Sequence, residues 1–173
     1  MKNLDFDVVI VGLGPTGGTL ANLLAMNNVS VLILEKEANI YNLPRAVHFD
    51  DEIMRVFQTI GITKSLSKKL IINKGTKFID DNGELLLDWP RPKKITENGW
   101  YPSYRFHQPD LERSLRYNLK KYKNVATVQN AQVYKTVNKK NYVEVNYKNT
   151  KTNKIYSLKS KYIIGCDGAN SFL

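Results

Sequence analysis

The segment Asp7-Val8-Val9-Ile10-Val11-Gly12-Leu13-Gly14-Pro15-Thr16-Gly17 constrains the fold more than any other part of the chain. Its apolar run predicts a strand buried on both faces, as in a parallel sheet. The glycines that follow stand at the spacing G-x-G-x-x-G and lead into a helix with Leu20, Leu23 and Leu24 on one side. That helix is expected to end near Asn27-Asn28. Val29 to Leu34 is a second apolar run, closed by Glu35. Strand, helix and strand within about thirty residues make the β-α-β crossover that builds a parallel sheet.

Each glycine of the motif has its own physical reason. Gly12 permits the tight strand-to-helix turn, Gly14 lets the backbone approach a pyrophosphate, and Gly17 lets the helix pack close to the sheet. The helix N-terminus then offers N–H groups and a partial positive charge to an anion. Glu35 stands 23 residues after Gly12, at the end of the second strand. A carboxylate there accepts hydrogen bonds from adenosine ribose hydroxyls and disfavours a 2′-phosphate, which argues against NADP in this pocket. The motif by itself does not separate NAD from FAD.

With 173 residues, 42% hydrophobic and 24% charged, the chain has the composition of an ordinary soluble domain with a real core. No apolar run approaches the roughly 20 residues that a bilayer span needs. The strand beginning at Asp7 leaves no room for a secretory signal. Cys166 is the single cysteine, and no Cys/His cluster has zinc spacing. The expectation is a cytoplasmic protein with no metal and no membrane segment. The 26 Lys+Arg against 16 Asp+Glu leave a net charge of +10. Lys135, Lys139, Lys140, Lys148, Lys151, Lys154, Lys159 and Lys161 face Glu144 alone in their stretch. They alternate with Val, Tyr and Ile rather than forming a block. This reads as solvated ammonium groups on turns and outward strand faces, with no nucleic-acid motif beside them.

Further along, Asp50 is placed to cap a helix carrying Ile53, Phe57 and Ile60 at i, i+4, i+7, with a stop at Gly61. Lys77 to Asp80 and Glu84 to Leu87 flank Asp81-Asn82-Gly83, a hairpin signal. Tyr104 to His107 predicts a strand. Pro109 suits the first turn of a helix with Leu111, Leu115, Leu119 and Tyr122. From Val125 to Ile164, strands between Asn/Lys turns predict an antiparallel meander running into Gly165-Cys166-Asp167-Gly168. With no repeats and no low-complexity linker, the chain reads as one continuous folded segment.

Four segments, VIVGLGPTGG, LPRAVHFDDEIMRVFQTIG, YRFHQPDLERSLR and YIIGCDGANSF, resemble the N-terminal part of the class A flavoprotein aromatic monooxygenases. This is the p-hydroxybenzoate hydroxylase fold, and the nearest resemblance is to 3-(3-hydroxyphenyl)propionate hydroxylases and related phenol-type hydroxylases. The blocks come in the family's order and cover essentially the whole chain. The resemblance implies an α/β fold, with a Rossmann-like FAD-binding βαβ unit, a parallel sheet and inserted antiparallel β elements. It implies FAD as cofactor and NADH or NADPH as reductant. The implied reaction inserts one oxygen atom of O2 into a phenolic ring by way of a flavin C4a-hydroperoxide.

Carried over residue by residue, the resemblance places Gly12, Gly14, Pro15, Thr16 and Gly17 around the FAD pyrophosphate, with Glu35 and Lys36 at the adenosine. Arg45 would sit near the flavin and the phosphates as a fixed cation. Gln108 would hydrogen-bond the ribityl or pyrophosphate region. Asp167 belongs to a motif used for both FAD and the nicotinamide cofactor. The cofactor carries the difficult chemistry, so no catalytic acid or base is expected in this segment. Cys166 reads as a small buried residue, and His48 and His107 as packed or solvent-facing.

Members of that family continue beyond the Asp-Gly motif into a second Gly-Asp motif and a domain that shapes the aromatic pocket. Here Leu173 follows Asp167 by six residues, with a helix expected to start at Asn170-Ser171. The expectation is the N-terminal portion of an FAD-binding domain over residues 1–173, lacking the substrate domain and relying on a missing C-terminal half. Open strand edges and apolar patches should result. Alone, such a chain is expected to bind FAD weakly or not at all and not to hydroxylate. Two other readings stay open on the residues: a small NAD-binding dehydrogenase or reductase, and a noncatalytic basic interaction protein with a degenerate nucleotide fold.

Overall fold

The computed structural model describes residues 4–43, 45–169 and 171–173. β1 (Phe6–Val11), α1 (Pro15–Met26) and β2 (Val31–Glu35) form the predicted crossover. There follow β3 (His48–Asp50), α2 (Asp51–Ile60), the short α3 (Thr63–Leu66), β4 (Ile71–Ile72), and the hairpin of β5 (Gly75–Ile79) and β6 (Leu85–Pro90). β7 (Ser103–Arg105) leads to α4 (Gln108–Leu119). Last come β8 (Val125–Gln129), β9 (Ala131–Asn138), β10 (Val143–Asn149) and β11 (Ile155–Gly165).

The chain divides into two compact units, Met1–Asn42 with Glu112–Leu173, and Leu43–Leu111, where the lack of a linker predicts one. No linker composition is needed, because the inserted stretch pairs its strands among themselves and buries its own rings.

In the first unit a six-stranded sheet runs β8-β2-β1-β11-β10-β9. β8, β2, β1 and β11 are parallel neighbours, while β11, β10 and β9 are antiparallel. β11 joins the two regimes. Its Ile155 to Ser160 pair with β10, and Ser160 to Gly165 pair with β1. Period-two alternation buries β1 on both sides. Val8 and Ile10 pack with Ala21, Val31, Ile33 and Leu119. Val9 and Val11 pack with Leu32, Leu34, Ala131, Val133 and Val145. Each Val, Ile and Leu side chain among them contributes about 1.5–3 kcal/mol on full burial.

One expectation is corrected here: β8 is not part of the meander but the parallel edge beside β2. Turn composition marks where strands end, not which neighbour takes their hydrogen bonds. Asn130, at φ 56°, turns the chain from β8 into β9. α1 lies close to the 112–119 part of α4 because Gly18 faces Leu115, whose Cβ would stand 3.3 Å from an added methyl. Fully buried Asn22 ties the two helices, donating to the carbonyls of Gly18 (2.8 Å) and Leu115 (3.2 Å) and accepting from Asn118 (2.8 Å). Of the eight late lysines all are exposed except Lys159, which is half-buried.

The second unit holds a β3-β7-β4 antiparallel sheet and the separate β5-β6 hairpin. Asp50 caps α2 as expected, accepting from the Ile53 amide at 2.9 Å, and Gly61 ends it at φ 83°. The buried face is Met54, Phe57 and Ile60, whereas Ile53 is 41% exposed, contrary to the i, i+4, i+7 reading. The aromatic cluster decides: Phe49 lies 5.2 Å from Phe57 and 5.7 Å from Tyr104, and turns the helix by one residue. β7 stops at Arg105, short of the predicted His107. In the hairpin, Asp80 Oδ1 accepts from the amides of Asn82 (2.9 Å) and Glu84 (2.7 Å), with Gly83 at φ 84°. Phe78, Ile79, Leu85, Leu86, Leu87 and Trp89 are exposed. Among the described residues no helix is long and apolar enough to cross a membrane.

Candidate functional site

The turn from β1 to α1 is built by two ladders. The Gly12 amide donates to the Leu34 carbonyl at 2.8 Å, and the Cys166 amide to the Val11 carbonyl at 2.7 Å. Gly12 sits at φ 98°, and a Cβ there would collide with the Cys166 carbonyl oxygen and lie 2.9 Å from Asp167 Cα. Both the left-handed backbone and the segment passing beside it exclude any other residue. A Cβ at Gly17 would collide with the Gly12 carbonyl oxygen, which is the close helix packing expected at that position.

Gly14 differs. It has φ −75° and an added Cβ meets nothing within 4 Å. It is the N-cap of α1, with no side-chain cap, Pro15 at the first helical position and no acid in the first turn. Thr16, the next residue, is exposed. The leading amides of a helix have no intrahelical partner, so this is an uncapped positive terminus with open space before it. The donor set fits a diphosphate.

Glu35 is 8% exposed, and its carboxylate is already engaged. One oxygen accepts from the Leu13 amide at 2.7 Å and the other from the Glu37 amide at 2.8 Å. Each carboxylate oxygen retains a second lone pair. Lys36, next in the chain, is exposed. From α4, Arg116 donates to the Leu13 carbonyl at 3.1 Å and pairs with the Glu112 carboxylate at 3.3 Å. Sequence reasoning missed this residue. The signal for the pair was the i, i+4 spacing of Glu112 and Arg116, but nothing local named Leu13 as its target. Leu13, Arg113, Arg116, Tyr122, Thr127 and Gln129 line part of a cleft of about 860 Å3, within the range of small-molecule sites.

Burial pushes the Asp167 carboxyl up, but hydrogen bonds from the Ser171 hydroxyl and the Phe172 amide, helped by the charge of Lys36, hold it below the usual carboxylate value. Burial and the neighbouring Asp167 charge push the Cys166 thiol up, the opposite of an activated nucleophile. Asn170, where a helix was expected to begin, lies outside the described residues, and Ser171 to Leu173 are not helical. His48 and His107 are exposed, with His107 Nδ1 3.1 Å from Asp110. Among the described residues no cluster of His, Cys, Asp and Glu could hold a metal ion.

In the second unit Arg45 and Gln108 come together, although 63 positions apart. Gln108 is 6% exposed, and its carbonyl oxygen accepts from the amides of Arg45 (2.8 Å) and Ala46 (2.9 Å). Gln108 therefore holds the backbone on which exposed Arg45 is carried. Gln108→Ala should cost about 0.5–1.5 kcal/mol by removing the shared acceptor of the Arg45 and Ala46 amides. Gln108→Glu, which keeps an acceptor, should cost less. Urea denaturation and hydrogen exchange at the Arg45 and Ala46 amides check this; unchanged protection in the alanine variant would refute it.

The sequence matches the family described as FAD binding domain over residues 5–173. It is 34% identical over 167 residues to a probable NADH-specific resorcinol 4-hydroxylase of Rhodococcus jostii, covering 95% of this chain and 31% of that protein. It is 32% identical to a 3-(3-hydroxy-phenyl)propionate/3-hydroxycinnamic acid hydroxylase of Mycolicibacterium gilvum, covering 98% of this chain and 29% of the relative. The chain thus spans less than a third of the length of these relatives. Among solved structures, p-nitrophenol 4-monooxygenase PnpA of Pseudomonas putida superposes with a TM-score of 0.86 at 24% identity, over 99% of this chain and 43% of that one. The flavin-dependent monooxygenase PieE superposes at 0.85 and 20% identity, over 98% and 31%. Both share the fold.

Proposed function

Because the chain belongs to the FAD binding domain family, we propose that residues 12–17 hold the diphosphate of FAD in the N-terminal part of a phenol-type hydroxylase. The observation that carries this reading is the uncapped start of α1, opening where a Cβ on Gly14 would meet nothing within 4 Å. FAD, when bound, supplies the redox and oxygen-transfer chemistry that side chains lack.

The chain's own residues bind and orient. The bare backbone at Gly14 allows close approach, and the Thr16 and Gly17 amides lead the helix terminus toward the phosphates. Glu35 uses its remaining lone pairs for ribose hydroxyls and repels a 2′-phosphate, and Lys36 lies on the adenosine side. Asp167 completes the cofactor set of the first unit, and Arg45, on a loop held by Gln108 in the second, is the further cation proposed for FAD. NADH as reductant and a phenolic ring as substrate are supported by the names of the relatives.

Titrating the chain with FAD and following flavin fluorescence tests the reading. ADP should compete, since it carries the recognised diphosphate and ribose, and FMN should compete poorly. Failure of ADP to displace FAD, or tighter binding of NAD than of FAD, would overturn it in favour of a dehydrogenase-like site.

A further inference from the structure

We infer that Arg116 is a positioning residue for the glycine loop: by holding the Leu13 carbonyl, it sets the direction of the Gly14 amide. The inference rests on the reading of residues 12–17 as a diphosphate loop. The Leu13 carbonyl and the Gly14 N–H belong to one peptide plane, and in a trans peptide they point in opposite directions. Arg116 Nη2 donates to that carbonyl at 3.1 Å, so the Gly14 N–H is directed away from the guanidinium. The peptide on the other side of Leu13 is fixed too, its N–H drawn to Glu35 at 2.7 Å. Two charged side chains from different elements therefore clamp both peptide planes of Leu13. The residue that follows is the one glycine of the motif with open space on its Cβ side.

The arrangement stabilises little by itself. The Arg116 and Glu112 side chains are 16% and 5% exposed, and a buried ion pair roughly breaks even against apolar packing. Among the described residues the Arg116 Nε–H meets no acceptor, which is a further penalty. What the guanidinium does accomplish is directional: one terminal nitrogen of its planar fork, Nη2, donates to the loop carbonyl and to the Glu112 carboxylate together. It also lines the cleft beside the loop. The work of Arg116 is therefore preorganisation: an amide already aimed does not have to be ordered when an anion arrives.

The test uses the 15N-labelled chain with Arg116→Met and Arg116→Lys. In the methionine variant the Gly14 amide resonance should move and its exchange quicken, while amides in the last turn of α1 stay in place. FAD affinity should fall about tenfold, equivalent to about 1.4 kcal/mol. Lysine, which keeps a charge and a donor but not the fork, should restore part of both effects. An unmoved Gly14 amide, or unchanged FAD affinity, would overturn the inference while leaving the diphosphate reading intact. If the unsubstituted chain binds FAD too weakly to titrate, the Gly14 amide alone decides the role of Arg116. Should the methionine variant not fold, the lysine variant carries both measurements.

Discussion

Gly12→Ala is expected to disrupt the native turn, at a cost of about 4 kcal/mol or more, in the range reserved for severe backbone and packing conflicts. Two independent penalties meet at this residue. Its φ of 98° is unfavourable for any residue with a Cβ, and the methyl would collide with the Cys166 carbonyl oxygen, which cannot withdraw without breaking the β1-β11 ladder. Gly14→Ala should behave in the opposite way. Its φ of −75° suits alanine and the methyl meets nothing within 4 Å, so stability should change by less than about 1 kcal/mol. The same methyl would stand where a diphosphate must approach, and FAD affinity should fall by at least about tenfold. Urea denaturation and flavin titration, run on both variants, separate the two roles. Equal losses of stability would show that the open space at Gly14 has been misread.

Removing the Glu35 carboxylate should be felt in the fold before it is felt in the ligand. Glu35→Ala deletes the acceptor of both the Leu13 and the Glu37 amides at a position only 8% exposed. Leaving two donors without that partner should cost about 2–4 kcal/mol. Glu35→Gln should cost less, because its single carbonyl oxygen can still serve one amide while its NH2 faces the other donor. Hydrogen exchange at Leu13 and Glu37 should quicken in both variants, more in alanine. If Glu35 served a ribose alone, the alanine variant would keep its stability and lose only affinity, and that outcome would end the loop-holding role.

The reading of α2 shows where sequence patterns fall short. Asp50 and Gly61 marked its ends correctly because capping and a left-handed stop are local steric matters. Its buried side was misjudged by one residue, since Ile53 and Met54 are both apolar and only the ring cluster around Phe49 distinguishes them. The β8 strand failed for a similar reason. Any strand can satisfy its hydrogen bonds with any neighbour, and the choice of β2 depends on where α4 delivers the chain.

The order of strand, glycine turn and helix followed from the sequence alone, because local φ/ψ preferences and the period of apolar residues act within a few positions. So did the three motif glycines and the assignment of Glu35 to a strand end. Only the tertiary structure decided that Gly12 is compelled by the Cys166 carbonyl, that Gln108 carries the Arg45 loop, and that Glu35 and Arg116 hold Leu13 from two sides. Those contacts join residues 22 to 154 positions apart, through backbone groups that every amino acid possesses. No residue type announces them, and they exist only once the sheet has brought the segments together.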